Sequence, residues 1–415
     1  MNLIETAEKN LLIKTGEKKK LTVRGQVKNY DVYEIPLELL YYNDQNGRIN
    51  TMYKKYSSTN GFITPEIGDS EYNKIFEEFI FDSNKQAMKD TIRSIKEKSQ
   101  QEPGVVLPDG RVIDGNRRLT ALRMIEKEEK IPKVFNAVIL PLDAKSKIDE
   151  KTIKELELDL QLGREERVNY DPIDRIFDVY NTIKVQKLMN AEEYKKASGA
   201  KNTRGINRDI RLAELVIKFI KLVSPDGNSI DKFYLARDLK LDGPIEEIES
   251  TINKLVSKDK ESVKDAVLVY MASSKVVETQ NDTTRLMRDL KNTVIKDPDR
   301  LQYFLDVVDD KVDDIVDAFQ KKPIQSANEL KTVITEDAEV ENSVYALMNS
   351  TDRIISKGKI ENERTKALIE LENIRDSLAE IGKEDFLELT ADENLLVRDV
   401  ISDIKSILFR LVKDI

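Results

Sequence analysis

The most informative stretch of the chain runs from Pro103 to Lys127 and has the sequence PGVVLPDGRVIDGNRRLTALRMIEK. Short apolar runs on either side of a Pro-Asp-Gly tripeptide are typical of two strands joined by a tight turn. The run from Leu119 onwards is typical of a helix. The predicted elements are, in order, a buried strand, a turn, a second strand, a helix and a third strand, over 103–107, 108–110, 111–113, 119–127 and 133–140. This order predicts a compact α+β core.

The turn that leads into the helix has the sequence Asp114-Gly115-Asn116-Arg117-Arg118. Glycine at this place lets the backbone bend sharply and approach a ligand, and the helix that follows presents N–H groups and a positive dipole end. Two arginines in the first turn oppose that dipole, at a cost of roughly 0.3–1 kcal/mol each. A phosphate held by backbone N–H groups and a guanidinium would compensate. Alternatively, Arg117 and Arg118 reach neighbouring carboxylates or solvent.

Outside this core the pattern changes from strands to helices along the chain. The first 35 residues predict β-strands, residues 43–68 predict a loop, and 72–81 and 86–100 predict helices. After Glu150 nearly all apolar spacings are helical. We therefore divide the sequence into three segments: 1–150 as an α+β nucleotide-binding domain, 151–223 as a helical DNA-binding segment and 224–415 as an all-helical C-terminal domain.

The end of the chain carries two heptad-like apolar stripes joined by a short segment around Gly382. The stripes consist of Leu371, Ile374, Leu378 and Ile381, and of Val397, Ile401, Ile404, Leu408 and Leu411. Spacings of three and four residues place each set on one helical face, which predicts a C-terminal helical hairpin. The stripes either pack against each other within one chain or form a homodimer interface, and the sequence leaves both open.

Three absences in the composition exclude whole classes of site. The 415 residues include no Cys, no His and no Trp. Disulfides, thiol nucleophiles, zinc ribbons, iron–sulfur centres and Ser-His-Asp triads are therefore excluded. Any metal has to be a hard cation held by oxygen ligands, which indicates Mg²⁺. Because we find neither a membrane-length apolar run nor a secretory signal, we expect a cytoplasmic protein with no membrane span.

The net charge of −9 is unevenly distributed. Residues 195–221 hold eight basic and two acidic side chains, whereas residues 297–341 hold five basic and thirteen acidic ones. The acidic block is typical of a solvated helical face. The basic stretch is a candidate surface for a polyanion.

That basic stretch overlaps a predicted helix-turn-helix over residues 191–222. Its second helix would carry Arg204, Arg208 and Arg211 on one face, at i, i+4 and i+7. Together with Lys201, these arginines would contact DNA phosphates and guanine edges. The alternative is an exposed basic face on a helical linker.

The turn motif and its surroundings are similar to a known superfamily. The segment Ile113-Asp114-Gly115-Asn116-Arg117-Arg118-Leu119-Thr120-Ala121-Leu122 resembles the Gly-x-Arg-Arg-x-x-Ala box of the ParB/sulfiredoxin superfamily. Further segments resemble other boxes of that family in the correct order: Ile35–Leu39 with Asn43 and Arg48, Ser94–Lys98, Pro103–Val106 with Asp109-Gly110, Ile131–Val134, and Tyr170–Asp174. The resemblance covers residues 35–180, about a third of the chain.

The resemblance implies a ParB/sulfiredoxin-like N-terminal domain that binds a nucleoside triphosphate, CTP in the partition-protein branch, together with Mg²⁺. The residues that it assigns are Gly115, Arg117, Arg118 and Arg48 for the nucleotide, Asn116 and Asp114 for catalysis, and Asp159 for the metal. Asn116 would orient a phosphate or a water molecule bound to Mg²⁺.

Two departures from the family pattern bear on the reaction. The sulfiredoxin branch needs a Cys in this box, so sulfinic acid reduction is excluded. The partition branch usually has Glu where this chain has Asn116, and its third box, Glu-Asn-x-Gln-Arg, has only residues 159–161 or 164–167 as counterparts. The resemblance therefore supports nucleotide binding more directly than a CTPase or other NTPase activity.

Three functions remain open from the sequence. The first is a dimeric DNA clamp that binds CTP and acts in partition, regulation or phage defence. The second is an enzyme on the same fold, a kinase or a Mg²⁺-dependent nuclease, that uses carboxylates such as Asp114, Glu38 and Asp159. The third is an inactive scaffold whose C-terminal helices bind a protein partner.

Overall fold

The structure is a computed structural model that describes residues 2–47, 49–63, 68–162, 171–255, 260–277, 282–364, 366–387 and 389–414. Arg48, residues 164–167 and Tyr170 lie outside the described residues. The chain forms two compact units, Met1–Asp352 and Arg353–Ile415. The three segments inferred from the sequence divide the chain by expected function, and that division stays a prediction. Within the described ranges, no helix combines the length and apolarity needed to cross a membrane.

A mixed β-sheet forms the centre of the N-terminal part. Its described strands are β1 (Ile13–Val23), β2 (Gln26–Pro36), β3 (Tyr41–Tyr42), β4 (Gly104–Val106), β5 (Arg111–Asp114) and β6 (Val134–Ile139), in the spatial order β1-β2-β6-β4-β5-β3. The pairs β1/β2, β2/β6 and β4/β5 are antiparallel, whereas β4/β6 and β3/β5 are parallel. The predicted α+β core is confirmed, and the strands predicted around the Pro-Asp-Gly turn are β4 and β5.

Helices cover both faces of this sheet. They are α1 (Leu3–Glu8), α2 (Asn50–Asn60), α3 (Ser70–Ser83), α4 (Lys85–Lys98) and α5 (Asn116–Glu129) on one face, and α6 (Lys147–Leu162) on the other. Successive side chains of a strand point to opposite faces. Val106 and Val112 therefore pack with the first group of helices, whereas Val105 and Ile113 pack with α6.

The prediction of a loop over residues 43–68 was wrong, because α2 occupies Asn50–Asn60. Its sequence, NTMYKKYSSTN, is polar and has no continuous apolar stripe, so periodicity alone does not reveal the helix. Aromatic contacts with α3 hold it in place instead. The ring centroids of Tyr53 and Phe76 lie 5.2 Å apart, and those of Tyr56 and Phe79 lie 5.8 Å apart.

The rest of the first unit is helical. Its described helices are α7 (Pro172–Tyr180), α8 (Ala191–Ser198), α9 (Arg204–Val223), α10 (Tyr234–Asp238), α11 (Asp242–Lys254), α12 (Lys260–Ser274), α13 (Thr283–Leu290), α14 (Pro298–Lys321) and α15 (Ala327–Thr335), with π-helical turns at Asn181–Val185 and Lys291–Ile295. The residues of α16 (Ala338–Arg364) up to Asp352 belong to the first unit and those from Arg353 to the second. The central helix is α9, which packs against α7, α11, α12 and α14. Leu212, Val216 and Phe219 on its inner face are fully buried.

Two helices dominate the second unit, α17 (Lys366–Glu380) and α18 (Ala391–Asp414). They occupy the two predicted heptad-like segments, and the chain leaves the helical conformation at Gly382 as predicted. Their apolar stripes are only partly covered. Six of the nine stripe residues are 38–51% exposed: Ile374, Leu378, Ile381, Ile401, Leu408 and Leu411. A single chain therefore leaves much of both stripes in contact with solvent.

A buried carboxylate joins the α+β part to the helical part. Asp174, in the first turn of α7, accepts hydrogen bonds from the Thr51 hydroxyl of α2 and from Nη1 of Arg237 of α10, the latter at 3.0 Å. The guanidinium of Arg237 also lies 3.3 Å from the carboxylate of Asp171. Burial raises the pKa of Asp174 to about 7, and the Arg237 charge opposes that rise.

This carboxylate predicts a pH-dependent stability. Because the pKa of Asp174 is higher in the folded chain than its ordinary value of 3.8, the folded state binds more protons between pH 4 and 7. The free energy of unfolding should therefore fall as the pH rises through this window. Urea unfolding of wild type and Asp174→Asn at several pH values measures the effect, and the variant should show a flatter profile. Equal slopes for both proteins, with Asp171→Asn as the control, would contradict this assignment.

Candidate functional site

Strand β5 and helix α5 join directly at Gly115. This residue is the N-cap of α5 and has a φ of 96°, in the left-handed region. A Cβ atom here would lie 2.8 Å from the ring of Phe135 on β6 and 3.1 Å from Nη2 of Arg118. Both the backbone conformation and the available space therefore require glycine. Since glycine has no side chain, it offers no side-chain cap to the first N–H groups of α5.

Asp114 is held between two cations beside this turn. Its Oδ2 atom lies 3.1 Å from Nη2 of Arg118 and 3.3 Å from Nζ of Lys19 on β1. The Lys19 ammonium is buried and also donates to the carbonyl of Pro103. The sequence left open whether the arginines of the turn bind a phosphate or reach a neighbouring carboxylate. One Nη atom of Arg118 does reach a carboxylate, that of Asp114. Asp114 therefore pairs with one cation of the turn and one of β1.

Within the described part of the chain, two polar atoms of the turn, Oδ1 of Asn116 and Nε of Arg118, are buried and have no hydrogen-bond partner. Asn116 is only 8% exposed. Buried polar atoms in proteins nearly always have a partner, so an unpartnered donor and an unpartnered acceptor within one turn make it a candidate ligand site. Arg118 Nε–H can donate to a phosphate oxygen, and the Asn116 amide can accept from a hydroxyl or, after rotation, donate.

Both residues line a cleft of about 840 Å³. Apolar contacts come from Ile80 of α3, Ile95 of α4 and Leu160 of α6, and polar ones from α4 hydroxyls such as Thr91 and from Gln161. The cleft also includes Gly115 and Arg117. Pockets that hold small organic ligands are typically about 300–1,000 Å³ and combine apolar walls with a few polar groups. The volume and the mixed lining are those of a site for a small organic ligand.

Carboxylates are not grouped for metal binding here. Asp90, Glu102 and Asp114 all line the cleft, but the described part of the chain contains no cluster of three acidic residues placed to hold a metal ion. Asp159, the predicted metal ligand, is exposed on α6, and it is Leu160 and Gln161 of this helix that line the cleft.

A buried charge cluster behind the cleft was missed by sequence reasoning. Nζ of Lys154 on α6 lies 2.5 Å from Oδ1 of Asp178 on α7 and 3.4 Å from Oε2 of Glu157. The Tyr194 hydroxyl of α8 donates to Asp178 at 3.1 Å, and the amide of Gln161 donates to Glu157 at 3.1 Å. The cluster therefore connects a cleft residue to α7 and α8.

The protonation of this cluster follows from its burial. Burial raises the pKa of Glu157, and Lys154 opposes that rise. Burial alone would lower the pKa of Lys154, but Asp178 and Glu157 together raise it. The two carboxylates therefore favour the charged form of Lys154. The spacing of Lys154 and Glu157, three residues apart on one helix, was a signal available in the sequence.

The predicted DNA-contacting residues lie around the turn between α8 and α9. Lys201, Arg204 and Arg208 are exposed. Nη2 of Arg208 lies 3.6 Å from Glu246, and Arg211 forms an ion pair with Glu249; both carboxylates belong to α11. The structure thus brings the four residues onto one helix and its preceding turn, with Arg208 and Arg211 in intramolecular ion pairs. That they contact DNA stays a prediction.

No family model matches the sequence, and no curated protein does. Among solved structures, the chain is similar to a Pnob8-like ParB-N domain, with 14% sequence identity and a TM-score of 0.29. The matched region covers 63% of this chain and 97% of that chain. A likeness at this level carries no function across, so any functional conclusion has to rest on the residues of the site.

Proposed function

We propose that the cleft at Gly115 binds a nucleoside triphosphate, CTP as the first candidate, and that the chain is a ParB-like, DNA-associated protein. The observation that carries the proposal is the unpartnered pair of Asn116 Oδ1 and Arg118 Nε at the N-terminus of α5. A helix N-terminus favours an anion, and a guanidinium adds directional donors that match phosphate geometry. The cleft of about 840 Å³ has room for the nucleoside beyond the phosphates.

Each residue of the turn has a distinct role in this proposal. Gly115 lets a phosphate approach the backbone, and Arg118 donates to it. Asp114 and Lys19 are positioning residues, because Asp114 fixes one Nη of Arg118 and Lys19 holds Asp114. Asn116 orients a phosphate or a metal-bound water molecule. With no acidic cluster among the described residues, Mg²⁺ would be held mainly by the phosphates of the nucleotide.

Calorimetric titration tests nucleotide binding. The purified protein is titrated with CTP, ATP and GTP, each with Mg²⁺, in the absence and presence of plasmid DNA. CTP-selective binding is the expected result. ATP-selective binding, or Mg²⁺-dependent loss of the plasmid, would instead favour a kinase or a nuclease on this fold. No binding of any nucleotide would refute the proposal and leave the turn as a structural element of a scaffold.

DNA binding by α8, the turn and α9 is the second part of the proposal. It is supported by the exposure of Lys201, in the turn before α9, and of Arg204, the first residue of that helix. The double variant Lys201→Ala/Arg204→Ala should bind plasmid DNA more weakly. The dependence of its affinity on salt concentration should correspond to about two fewer phosphate contacts. Fluorescence anisotropy at several salt concentrations measures both. Unchanged affinity and salt slope would remove these residues from the interface.

Homodimerisation through α17 and α18 is the third part. The partly exposed stripes of both helices, with their spacing of three and four residues, support it. Sedimentation equilibrium should give twice the mass of 47.7 kDa, and Leu408→Asp should return the protein to a monomer. A monomeric wild type would instead indicate a different protein partner for these helices.

A further inference from the structure

A second cleft, with no lining residue in common with the cleft at Gly115, lies among α9, α11 and α12 and measures about 500 Å³. Its charged lining consists of five cations, Arg211, Lys218, Lys221, Lys260 and Lys264, and three carboxylates, Glu214, Glu249 and Glu261. In a chain with a net charge of −9, this is a local excess of positive charge. Such a concave surface attracts anions.

Three of the cations are fixed by ion pairs. Nζ of Lys218 lies 2.7 Å from Asp265, and Nζ of Lys264 lies 2.6 Å from Glu261, both of which are on α12. Arg211 pairs with the buried carboxylate of Glu249 on α11. The pairs of Lys218 and Arg211 join α9 to α12 and to α11, whereas the Lys264–Glu261 pair lies within α12. In each pair the two opposite charges largely neutralise each other.

Lys221 and Lys260 differ from the other three cations. Nζ of Lys260 donates to the backbone carbonyl of Asn253 at 2.8 Å, and its charge has no carboxylate partner within the described ranges. Lys221 is exposed, and no carboxylate of the described ranges pairs with it. Glu214 is the one acidic lining residue without a cation partner in those ranges, and it is exposed to solvent. The cleft therefore keeps two ammonium groups available.

We propose that this cleft is a second phosphate-binding site whose ligand bridges Lys221 and Lys260. Ammonium groups on flexible stems bind phosphate oxygens, while Leu215 and Ile252 give the cleft an apolar part. The ligand carries at least two phosphates, either as a nucleic-acid backbone or as a free polyphosphate. Lys221 lies about 25 Å along α9 from Arg204, which is shorter than one turn of duplex DNA at about 34 Å. One turn of a duplex is thus long enough to reach both Arg204 and Lys221.

The test compares Lys221→Ala/Lys260→Ala with Lys28→Ala/Lys331→Ala, which removes the same charge from exposed positions outside both clefts. The probes are inorganic tripolyphosphate and a short fluorescent DNA duplex. Tripolyphosphate is titrated in an Arg118→Ala background, so that the cleft at Gly115 does not contribute. The first double variant should bind at least tenfold more weakly than its control, and Glu214→Gln should bind more tightly than wild type.

Each outcome assigns or overturns the site. If Lys221→Ala/Lys260→Ala loses affinity for the duplex alone, the ligand is nucleic acid. The dependence of that affinity on salt concentration should then fall by about two phosphate contacts. If this variant loses affinity for tripolyphosphate alone, the ligand is a small phosphorylated molecule. If neither probe binds, or if both double variants bind alike, the proposal is wrong. Because tripolyphosphate is titrated in the Arg118→Ala background, that outcome does not depend on nucleotide binding at Gly115, and the duplex outcome is judged against the Lys28→Ala/Lys331→Ala control, which leaves the cleft at Gly115 intact.

Discussion

Replacing Lys154 with methionine is expected to lower the free energy of unfolding by about 3–5 kcal/mol. Lys154 is buried and provides the positive charge for both Asp178 and Glu157. Its removal leaves two carboxylates inside the fold with no cation between them. Tyr194 and Gln161 still donate hydrogen bonds to them, but neutral donors do not replace a charge. Urea unfolding at neutral pH measures the loss.

The matched control is Lys151→Met, one turn earlier on the same helix. Lys151 lies 2.6 Å from Glu193, but both side chains of this pair are more than a third exposed. Exposed ion pairs contribute about 0–1 kcal/mol, so this variant should unfold almost as wild type does. The Lys154 variant should also recover stability as the pH falls, because protonation removes the uncompensated charges. If both variants lose a similar free energy of unfolding, burial does not determine how much the Lys154 cluster contributes to stability.

The α+β core was predictable because its signals are local. Short apolar runs on either side of Pro108-Asp109-Gly110 define β4 and β5, and Gly115 separates a strand from a helix within one residue. The candidate site was predictable to the same extent, since Asn116, Arg117 and Arg118 all lie in the turn that those signals define.

The remaining parts of the site depend on contacts between distant residues. Lys19 stands in a run of three lysines that looks like a solvated strand edge, yet it is buried against Asp114, 95 residues further on. Its direction is set by the pairing of β1 with β2, which places Lys19 opposite Tyr30. A one-residue change of register would move it to the other face of the sheet. The sequence alone does not specify that register.

The same reasoning explains why α2 and the Lys154 cluster were missed. The helix α2 is stabilised by Phe76 and Phe79 of α3 rather than by its own pattern. Lys154 and Asp178 lie on different helices, and neither stands in an apolar stripe that would mark it as buried. Tertiary packing determines both features.

Replacing Arg118 with alanine is expected to weaken nucleoside triphosphate binding by about 100-fold without unfolding the protein. The variant removes the unpartnered Nε–H donor and its positive charge from the cleft, and a charge-assisted hydrogen bond contributes about 1.5–3 kcal/mol. It also leaves the Asp114 carboxylate with Lys19 as its remaining partner among the pairs described here, so a negative charge faces the incoming phosphates. Calorimetric titration with CTP and Mg²⁺ measures the affinity, and thermal unfolding checks the fold.

Two further variants separate charge from geometry. Arg118→Lys keeps the positive charge but loses the guanidinium, so its affinity should lie between those of wild type and Arg118→Ala. Lys127→Ala removes an exposed cation from the same helix, outside the cleft, and should bind nucleotide as wild type does. If Lys127→Ala weakens binding as much as Arg118→Ala does, then long-range charge rather than a contact at the turn explains the loss. Wild-type affinity in Arg118→Ala would place the nucleotide elsewhere, because no other donor of the turn combines a positive charge with a buried, unpartnered N–H group.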